Sequence, residues 1–104
     1  MARQVVWSYE ATADLETIAN YIARDSKFYA ASFVQEILDA SHSLKMFGER
    51  GRIVPELDNP NIRELLIKEY RLIYHIEVEE SRIVILGLIH GKRDLKKLWD
   101  RRKR

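Results

Sequence analysis

Apolar and polar residues alternate with a period of two from Tyr70 to Glu79, which is typical of an extended strand with two unlike faces. The next apolar segment, Arg82–His90, is apolar on both faces, as expected of a strand in the middle of a sheet. The polar residues between them predict a turn, so the stretch predicts a β-hairpin. A turn centred on Glu80 and Ser81 would place Arg71 directly opposite His90, with both side chains on the same face.

Helical periodicity dominates the first half of the chain. Leu15, Ile18, Ala19 and Ile22 form one apolar stripe, with Ser8 as the predicted N-cap and an end near Arg24. A second helix is predicted over residues 26–47, capped by Ser26, and the short joint makes it antiparallel to the first. Its stripe comprises Ala30, Val34, Ile37, Leu38, Ser41 and Leu44, with Phe33, Met46 and Phe47 adding bulk near that face.

The remaining segments complete the order of elements. Arg3–Trp7 predicts a first strand, and Gly48 and Gly51 bracket a turn that leaves the second helix. Ile53–Leu57 and Ile62–Ile67 predict extended segments, and Asp94–Trp99 predicts a short helix. The order β-α-α-β-β-β-β indicates an α+β fold: an N-terminal strand and an antiparallel helical hairpin packed on a small, mainly antiparallel β-sheet.

Composition narrows the class of protein. The 104 residues predict one domain, 1–104, and the 46% hydrophobic and 33% charged residues are typical of a soluble globular protein. No signal or membrane-spanning pattern is present, so a cytoplasmic location is expected. The absence of cysteine excludes disulfides and thiol catalysis. The net charge is only +2, but a basic tail at about 95–104 predicts either a contact with an anionic partner or a solubilising terminus.

Glu56, Arg71 and His90 form the candidate catalytic group. Metal-free RNA cleavage needs a base, a cation that stabilises the pentavalent phosphate, and an acid, and these three residue types can fill those roles. The alternative is that Arg71 and His90 only cap the end of the sheet. Because both end a strand, alanine at either position is expected to spare folding.

Other cationic and aromatic residues are candidates for contacts with a nucleic acid or another target. The cations are Arg50, Arg52, Arg63, Lys92 and Arg93, and for the first three a solvated strand surface is the alternative. Tyr21, Tyr29, Tyr70 and Tyr74 are interpreted as aromatics at the edge of the core rather than as platforms for base stacking. No spacing of histidines and carboxylates resembles a metal site, so no metal or cofactor is expected.

Six segments together resemble the RelE/ParE superfamily of toxins of bacterial type II toxin–antitoxin systems. They are Trp7–Ile22 (W-S-x-x-A-x-x-D-L-x-x-I-A-x-Y-I), Ala30–Ile37 (A-x-x-F-V-x-x-I), Gly51–Leu57 (G-R-x-V-P-E-L), Ile62–Leu65 (I-R-E-L), Tyr70–Tyr74 (Y-R-L-I-Y) and Ile85–Asp94 (I-L-G-L-I-H-G-K-R-D). The resemblance implies a helical hairpin on an antiparallel sheet, in agreement with the patterning. It also implies a growth-inhibiting toxin of a plasmid-stabilisation module, neutralised by a cognate antitoxin in a hetero-oligomer.

The resemblance leaves two kinds of target open. ParE-like members inhibit DNA gyrase, whereas RelE-like members cut mRNA in the ribosomal A site without a metal. The branch related to YoeB uses a Glu, an Arg and a C-terminal His, to which Glu56, Arg71 and His90 correspond. That pattern ends in His-Tyr, where this chain has Gly91, and the lysine-rich strand of RelE is missing. The small net charge and the long helical hairpin favour the gyrase branch. A third alternative is a non-toxic module that only binds an antitoxin.

Overall fold

The computed structural model describes residues 2–93 and residue 95, in the predicted order of elements. The helices are α1, Tyr9–Ala23, and α2, Lys27–Ser43. The strands are β1 (Gln4–Trp7), β2 (Arg52–Ile53), β3 (Ile62–Ile67), β4 (Tyr70–Glu77) and β5 (Arg82–His90). The fold class predicted from the sequence is confirmed. The basic tail and the predicted helix Asp94–Trp99 lie outside the described residues, apart from Leu95.

Serine caps fix the start of both helices, as predicted. The Ser8 Oγ accepts a hydrogen bond of 3.0 Å from the Ala11 N–H, and the Ser26 Oγ accepts one of 3.1 Å from the Tyr29 N–H. The prediction that α2 extends to residue 47 was wrong. Its last turn tightens, since the Leu44 N–H donates to the Ser41 carbonyl only three residues earlier.

The side chains beyond that end of α2 are largely outside the core. Met46 and Phe47 are both 65% exposed, so neither adds bulk to the buried face. Leu38, predicted in the buried stripe, is also exposed, whereas Phe33 is buried in the core. The buried face of α2 is therefore rotated slightly toward Phe33 relative to the predicted stripe.

The five strands form one sheet in the order β1-β5-β4-β3-β2. β1 runs parallel to β5, and all other neighbours are antiparallel. The predicted extended run Ile53–Leu57 was wrong in extent, since β2 ends at Ile53. The Val54 N–H still bonds to the Ile62 carbonyl, but Pro55 has no N–H with which to continue the ladder.

The register of the β4–β5 hairpin differs from the prediction. Glu77 pairs with Arg82, so the turn is centred on Glu79 and Glu80, one residue earlier than expected. An irregularity then adds one residue to β5, because Ile73 pairs with Gly87 whereas Tyr74 pairs with Ile85. This bulge brings Ile85 and Leu88, three residues apart, onto the face that packs against the helices.

Apolar residues are buried on both faces of the sheet. The larger cluster lies between the sheet and the helices and includes Phe33, Ile37, Leu72 and Tyr74. A smaller cluster includes Val54, Ile73, Ile89 and Leu95, and it covers part of the opposite face. That opposite face also holds the buried charges described next.

Candidate functional site

Three neighbouring strands place a ladder of charged side chains on the sheet face opposite the helices. Arg52 of β2 pairs with Glu64 of β3, and its Nε lies 2.5 Å from a Glu64 carboxylate oxygen. The other Glu64 oxygen accepts a hydrogen bond of 2.7 Å from Nε of Arg71 on β4. Glu64 and Arg71 are 1% and 5% exposed, so this pair is shielded from water. A buried carboxylate is stable here because two cations and their hydrogen bonds compensate for its lost hydration.

Glu56 closes the ladder from the loop that follows β2. Its two carboxylate oxygens accept hydrogen bonds of 2.8 and 2.7 Å from the two terminal nitrogens of Arg71. This bidentate geometry is the strongest that an arginine and a carboxylate form. The Arg71 guanidinium is thus held by Glu56 at its tip and by Glu64 at its Nε. We call Arg52, Glu56, Glu64 and Arg71 the charge ladder.

The electrostatics of this pair favour both charged forms. The hydrogen bond from Arg71 is the largest cause that lowers the pKa of Glu56 below its ordinary value, and burial opposes it. The hydrogen bond to Glu56 likewise raises the pKa of Arg71, with further contributions from Glu64. Glu56 is therefore an engaged anion rather than a free base, and Arg71 is a neutralised cation.

The lowered pKa of Glu56 predicts a dependence of stability on pH. Because the pKa in the folded state lies below the ordinary value of 4.5, the contribution of the pair is fully present above pH 4.5. It is lost as the pH falls through the folded-state pKa. We expect the free energy of unfolding to fall less steeply between pH 5 and pH 3 in Glu56→Gln than in the wild type, by urea titration. Glu80→Gln, in the exposed turn after β4, is the control for removing one carboxylate, and an equal change in slope would contradict the assignment.

His90 lies on the other face of the sheet. It pairs with Tyr70, and their rings meet edge to face at 5.6 Å, whereas Arg71 pairs with Ile89. The prediction that Arg71 lies directly opposite His90 was therefore wrong, because of the earlier turn and the bulge in β5. The Nε2 of His90 is 3.6 Å from a Glu69 oxygen, and Nδ1 accepts a hydrogen bond from the Lys92 N–H. Glu56 and Arg71 are joined as the sequence grouped them, and His90 is separated from them.

An open cleft of about 490 Å³ borders both residues at the end of the sheet. Arg71 and His90 line it from opposite sides of the strands, together with Arg52, Leu66, Lys68, Glu69, Tyr70, Gly91 and Lys92. Lys92 is exposed there, and so is the neighbouring Arg93. Both candidate target contacts after β5 are accessible to a partner.

The other predicted contact arginines are engaged within the chain. Arg50 donates to the Ser43 hydroxyl at 2.6 Å, and Arg63 donates to the Gly51 carbonyl at 3.0 Å. Arg52 belongs to the charge ladder. These arginines therefore stabilise the turn after α2 and the edge strand, and Arg50 and Arg52 are exposed whereas Arg63 is half-buried.

Sequence reasoning missed Glu64 and the role of Tyr74. Glu64 interrupts the apolar strand Ile62–Ile67, and a charged residue within such a strand was the available signal. The Tyr74 hydroxyl donates to the Gly48 carbonyl and accepts from the Gly51 N–H, at 2.7 and 2.9 Å. No sequence pattern indicates this pairing, since the residues are more than 20 positions apart.

The described residues contain no group of three or more histidines or carboxylates that could hold a metal ion. Within the same part of the chain, neither helix has the length and apolar content that a membrane crossing requires.

Comparison with known proteins gives concordant matches. The family described as the ParE toxin of the type II toxin–antitoxin system, parDE, matches residues 5–95. Toxin RelE2 of Caulobacter vibrioides is 32% identical over 91 residues, which cover 86% of this chain and 97% of that protein. The structure of the chromosomal ParDE system from P. aeruginosa gives a TM-score of 0.71 at 21% identity, covering 88% of this chain and 98% of that chain. The toxin–antitoxin complex RelBE2 from Mycobacterium tuberculosis gives 0.61 at 22% identity, covering 86% and 99%.

Proposed function

The chain belongs to the ParE family of type II toxin–antitoxin toxins, and we propose that it inhibits growth by binding DNA gyrase, with a cognate antitoxin as its neutralising partner. The observation that carries this choice of target is the bidentate Glu56–Arg71 pair. It occupies the groups that an RNA-cleaving site of this family would need free.

Metal-free cleavage of RNA requires a cation that can approach the phosphate as charge develops. In this chain the three guanidinium nitrogens of Arg71 all donate to carboxylates, and the side chain is 5% exposed. A phosphate would have to displace Glu56 and would still meet the negative charge of Glu64. The clamp therefore favours a structural role for Arg71.

The position of His90 supports the same choice. A general acid must lie within hydrogen-bond reach of the atom that it protonates, close to the base and the cation. His90 shares its face with Tyr70, and Arg71 shares the opposite face with Ile89. Both side chains border the cleft at the sheet end, and this is the observation that favours an mRNA nuclease as the second candidate.

The antitoxin is proposed to bind along the free edge of β1. A groove of about 570 Å³ runs between this strand and the C-terminal half of α2. Val5, Trp7 and Leu38 supply apolar surface and Lys45 supplies positive charge, whereas Arg3 is paired with Glu49 at 3.0 Å. An acidic, amphipathic segment that adds a strand to β1 would match both properties.

Two assays with purified protein test the choice of target: inhibition of supercoiling by gyrase, and cleavage of message on programmed ribosomes. We expect blocked supercoiling and intact message for the wild type. His90→Ala should inhibit supercoiling within about twofold of the wild type, since it removes a partly exposed side chain outside the proposed mechanism.

His75→Ala is the matched control, because its side chain is 35% exposed and that of His90 is 40% exposed. Cleavage of message in the A site by the wild type, with loss of cleavage in His90→Ala but not in His75→Ala, would establish the nuclease instead. The proposal that this protein inhibits gyrase would then be wrong.

A further inference from the structure

Three exposed aromatic side chains lie where α1 passes into α2. Tyr21 is 65% exposed, Phe28 is 75% exposed and Tyr29 is 67% exposed. The interpretation of Tyr21 and Tyr29 as residues at the edge of the core was wrong, because both helices turn these positions toward solvent. Large rings in water lose the stabilisation that burial would give them, so three exposed rings at one helical turn indicate a contact surface.

Neighbouring side chains hold these rings in place. The rings of Phe28 and Tyr29 meet edge to face at 5.9 Å between centroids. The Arg24 guanidinium lies 5.8 Å from the centroid of the Tyr21 ring, within the range of a cation–π contact. Each ring is therefore partly ordered by a neighbour while most of its surface stays open.

The exposed rings continue into the aromatic residues at the sheet end. Tyr70 packs edge to face against Phe33 at 5.1 Å and against His90 at 5.6 Å. Burial raises the pKa of Tyr70, with smaller contributions from the Glu69 carboxylate and from Tyr21. Phe33 lies one helical turn after Tyr29 on α2, so the rings at the helical turn and those at the sheet end are neighbours. We call Tyr21, Phe28, Tyr29, Tyr70 and His90 the aromatic end.

Positive charge predominates around the aromatic end. Its exposed basic residues are Arg24, Lys27, Lys68, Lys92 and Arg93, and the acidic residues among them are Asp25, Glu36 and Glu69. Glu36 pairs with Lys68 at 3.5 Å and Glu69 lies near His90. Arg24, Lys27, Lys92 and Arg93 are left to face a partner, against Asp25. The surface thus combines open rings with an excess of cations.

We propose that the aromatic end binds single-stranded nucleic acid, with bases stacked on Tyr21, Phe28 and Tyr29 and phosphates contacted by Arg24 and Lys27. This activity goes beyond binding of gyrase and does not depend on it. Stacking platforms flanked by cations are the usual means of holding a single strand without reading its sequence. DNA and RNA share this chemistry of base and phosphodiester.

The type of side chain favours a nucleic acid over other partners. The exposed large side chains at the helical turn are all aromatic, whereas the exposed aliphatic ones lie elsewhere on the described chain, with Leu66 beside Tyr70 and His90 in the cleft. The exposed rings of Tyr9 and Phe47 also lie away from this turn. An apolar protein partner would be contacted as well by aliphatic side chains, but a base gains most from a flat ring. A second copy of the chain is disfavoured because two positive surfaces repel each other.

The test is fluorescence anisotropy with labelled oligo-dT and oligo-rU of about 12 nucleotides, a length within the range of known single-strand sites. We expect saturable binding at low salt. Tyr21→Ala, Phe28→Ala and Tyr29→Ala should each weaken it roughly five- to hundredfold. Tyr29→Phe should retain binding, since it keeps the ring. Phe47→Ala and Met46→Ala are the controls, because both side chains are 65% exposed and lie in the segment that follows α2.

Salt dependence tests the contacts with phosphate. The double variant Arg24→Gln, Lys27→Gln should reduce the slope of log affinity against log salt by about 1.4, as expected for two lost phosphate contacts on a single strand. Comparison of the dT and rU arms distinguishes DNA from RNA as the natural strand.

Several outcomes would overturn the proposal. They are no saturable binding by the wild type, equal losses in the aromatic and control variants, or binding to anionic lipid vesicles but not to oligonucleotides. Supercoiling inhibition is measured separately on the same variants. An unchanged value alongside lost oligonucleotide binding leaves the gyrase proposal intact. Lost supercoiling inhibition alongside retained oligonucleotide binding would assign the aromatic end to gyrase and overturn the nucleic-acid proposal.

Discussion

Replacing Arg71 with alanine is expected to lower the free energy of unfolding by about 3–5 kcal/mol, the usual cost of removing one partner from a buried ion pair. The variant would leave Glu64, whose side chain is fully buried, with Arg52 as its remaining partner in the charge ladder, and Arg52 is more than half exposed. Glu56 would also lose its bidentate partner. Urea denaturation at pH 7, followed by circular dichroism, measures the change.

Two further variants separate the buried pair from a general effect of losing arginine. Arg82→Ala removes a bridge to Glu77 of similar length, 2.6 Å, but with side chains 41% and 23% exposed, and should cost less than about 1 kcal/mol. Arg71→Met combined with Glu64→Leu removes both buried charges and should recover most of the lost stability. Equal costs for Arg71→Ala and Arg82→Ala would show that Glu64 tolerates the loss of its buried partner.

The expected instability of Arg71→Ala affects how a loss of toxicity in that variant is interpreted. The sequence predicts that alanine at Arg71 spares folding, because Arg71 lies at a strand end. The reason given for this prediction is insufficient, since the Arg71 side chain is buried. Loss of toxicity in Arg71→Ala could come from unfolding alone. His90→Ala is the more informative variant for function, since His90 is partly exposed.

Gly51→Ala is expected to lower the free energy of unfolding by about 3 kcal/mol, at the upper end of overpacking effects. A Cβ at this position would lie 2.5 Å from the Tyr74 hydroxyl and 2.7 Å from the Glu64 carbonyl oxygen. Neither group can move easily, since Tyr74 is fully buried and the Glu64 carbonyl belongs to β3. The Tyr74 hydroxyl would also lose its hydrogen bonds to Gly48 and Gly51. Thermal and urea unfolding measure the change.

Gly91→Ala is the matched control. Gly91 is exposed, and the closest atom to an added Cβ is the Glu69 carbonyl oxygen at 3.3 Å, so the expected cost is below about 1 kcal/mol. A comparable loss for the two variants would contradict close packing as the reason for Gly51, because the added methyl group meets much closer contacts at Gly51 than at Gly91. In the described chain no glycine has a positive φ, which also favours packing as the reason for Gly51.

Local signals were sufficient for the helices and for the order of the elements. The Ser8 and Ser26 caps and the end of α1 follow from hydrogen-bonding groups within four residues of each other, and the structure confirms them. The end of α2 was wrong by several residues. Its apolar side chains continue to Phe47, and the tightened last turn depends on how the chain leaves toward β2.

The positions of the candidate site residues depend on the pairing of strands and loops that are far apart in the chain. The centre of the β4–β5 turn and the bulge in β5 moved His90 opposite Tyr70, and a single residue of register sends a side chain to the other face. The sequence grouped Glu56 with Arg71 as catalytic residues, and the structure joins them in an ion pair that no motif indicates. That contact depends on the loop after β2 folding back over the sheet.

The sequence alone determined the fold class and the family, because hydrophobic periodicity, serine caps and ordered motifs act over short distances and survive without knowledge of packing. Only the tertiary structure decided which charges are buried, which face each polar residue takes and which aromatic rings stay in water. Those properties depend on strand register and on contacts between residues far apart in the chain, such as Arg71 with Glu56 and Tyr74 with Gly51. The charge ladder and the aromatic end are products of that packing.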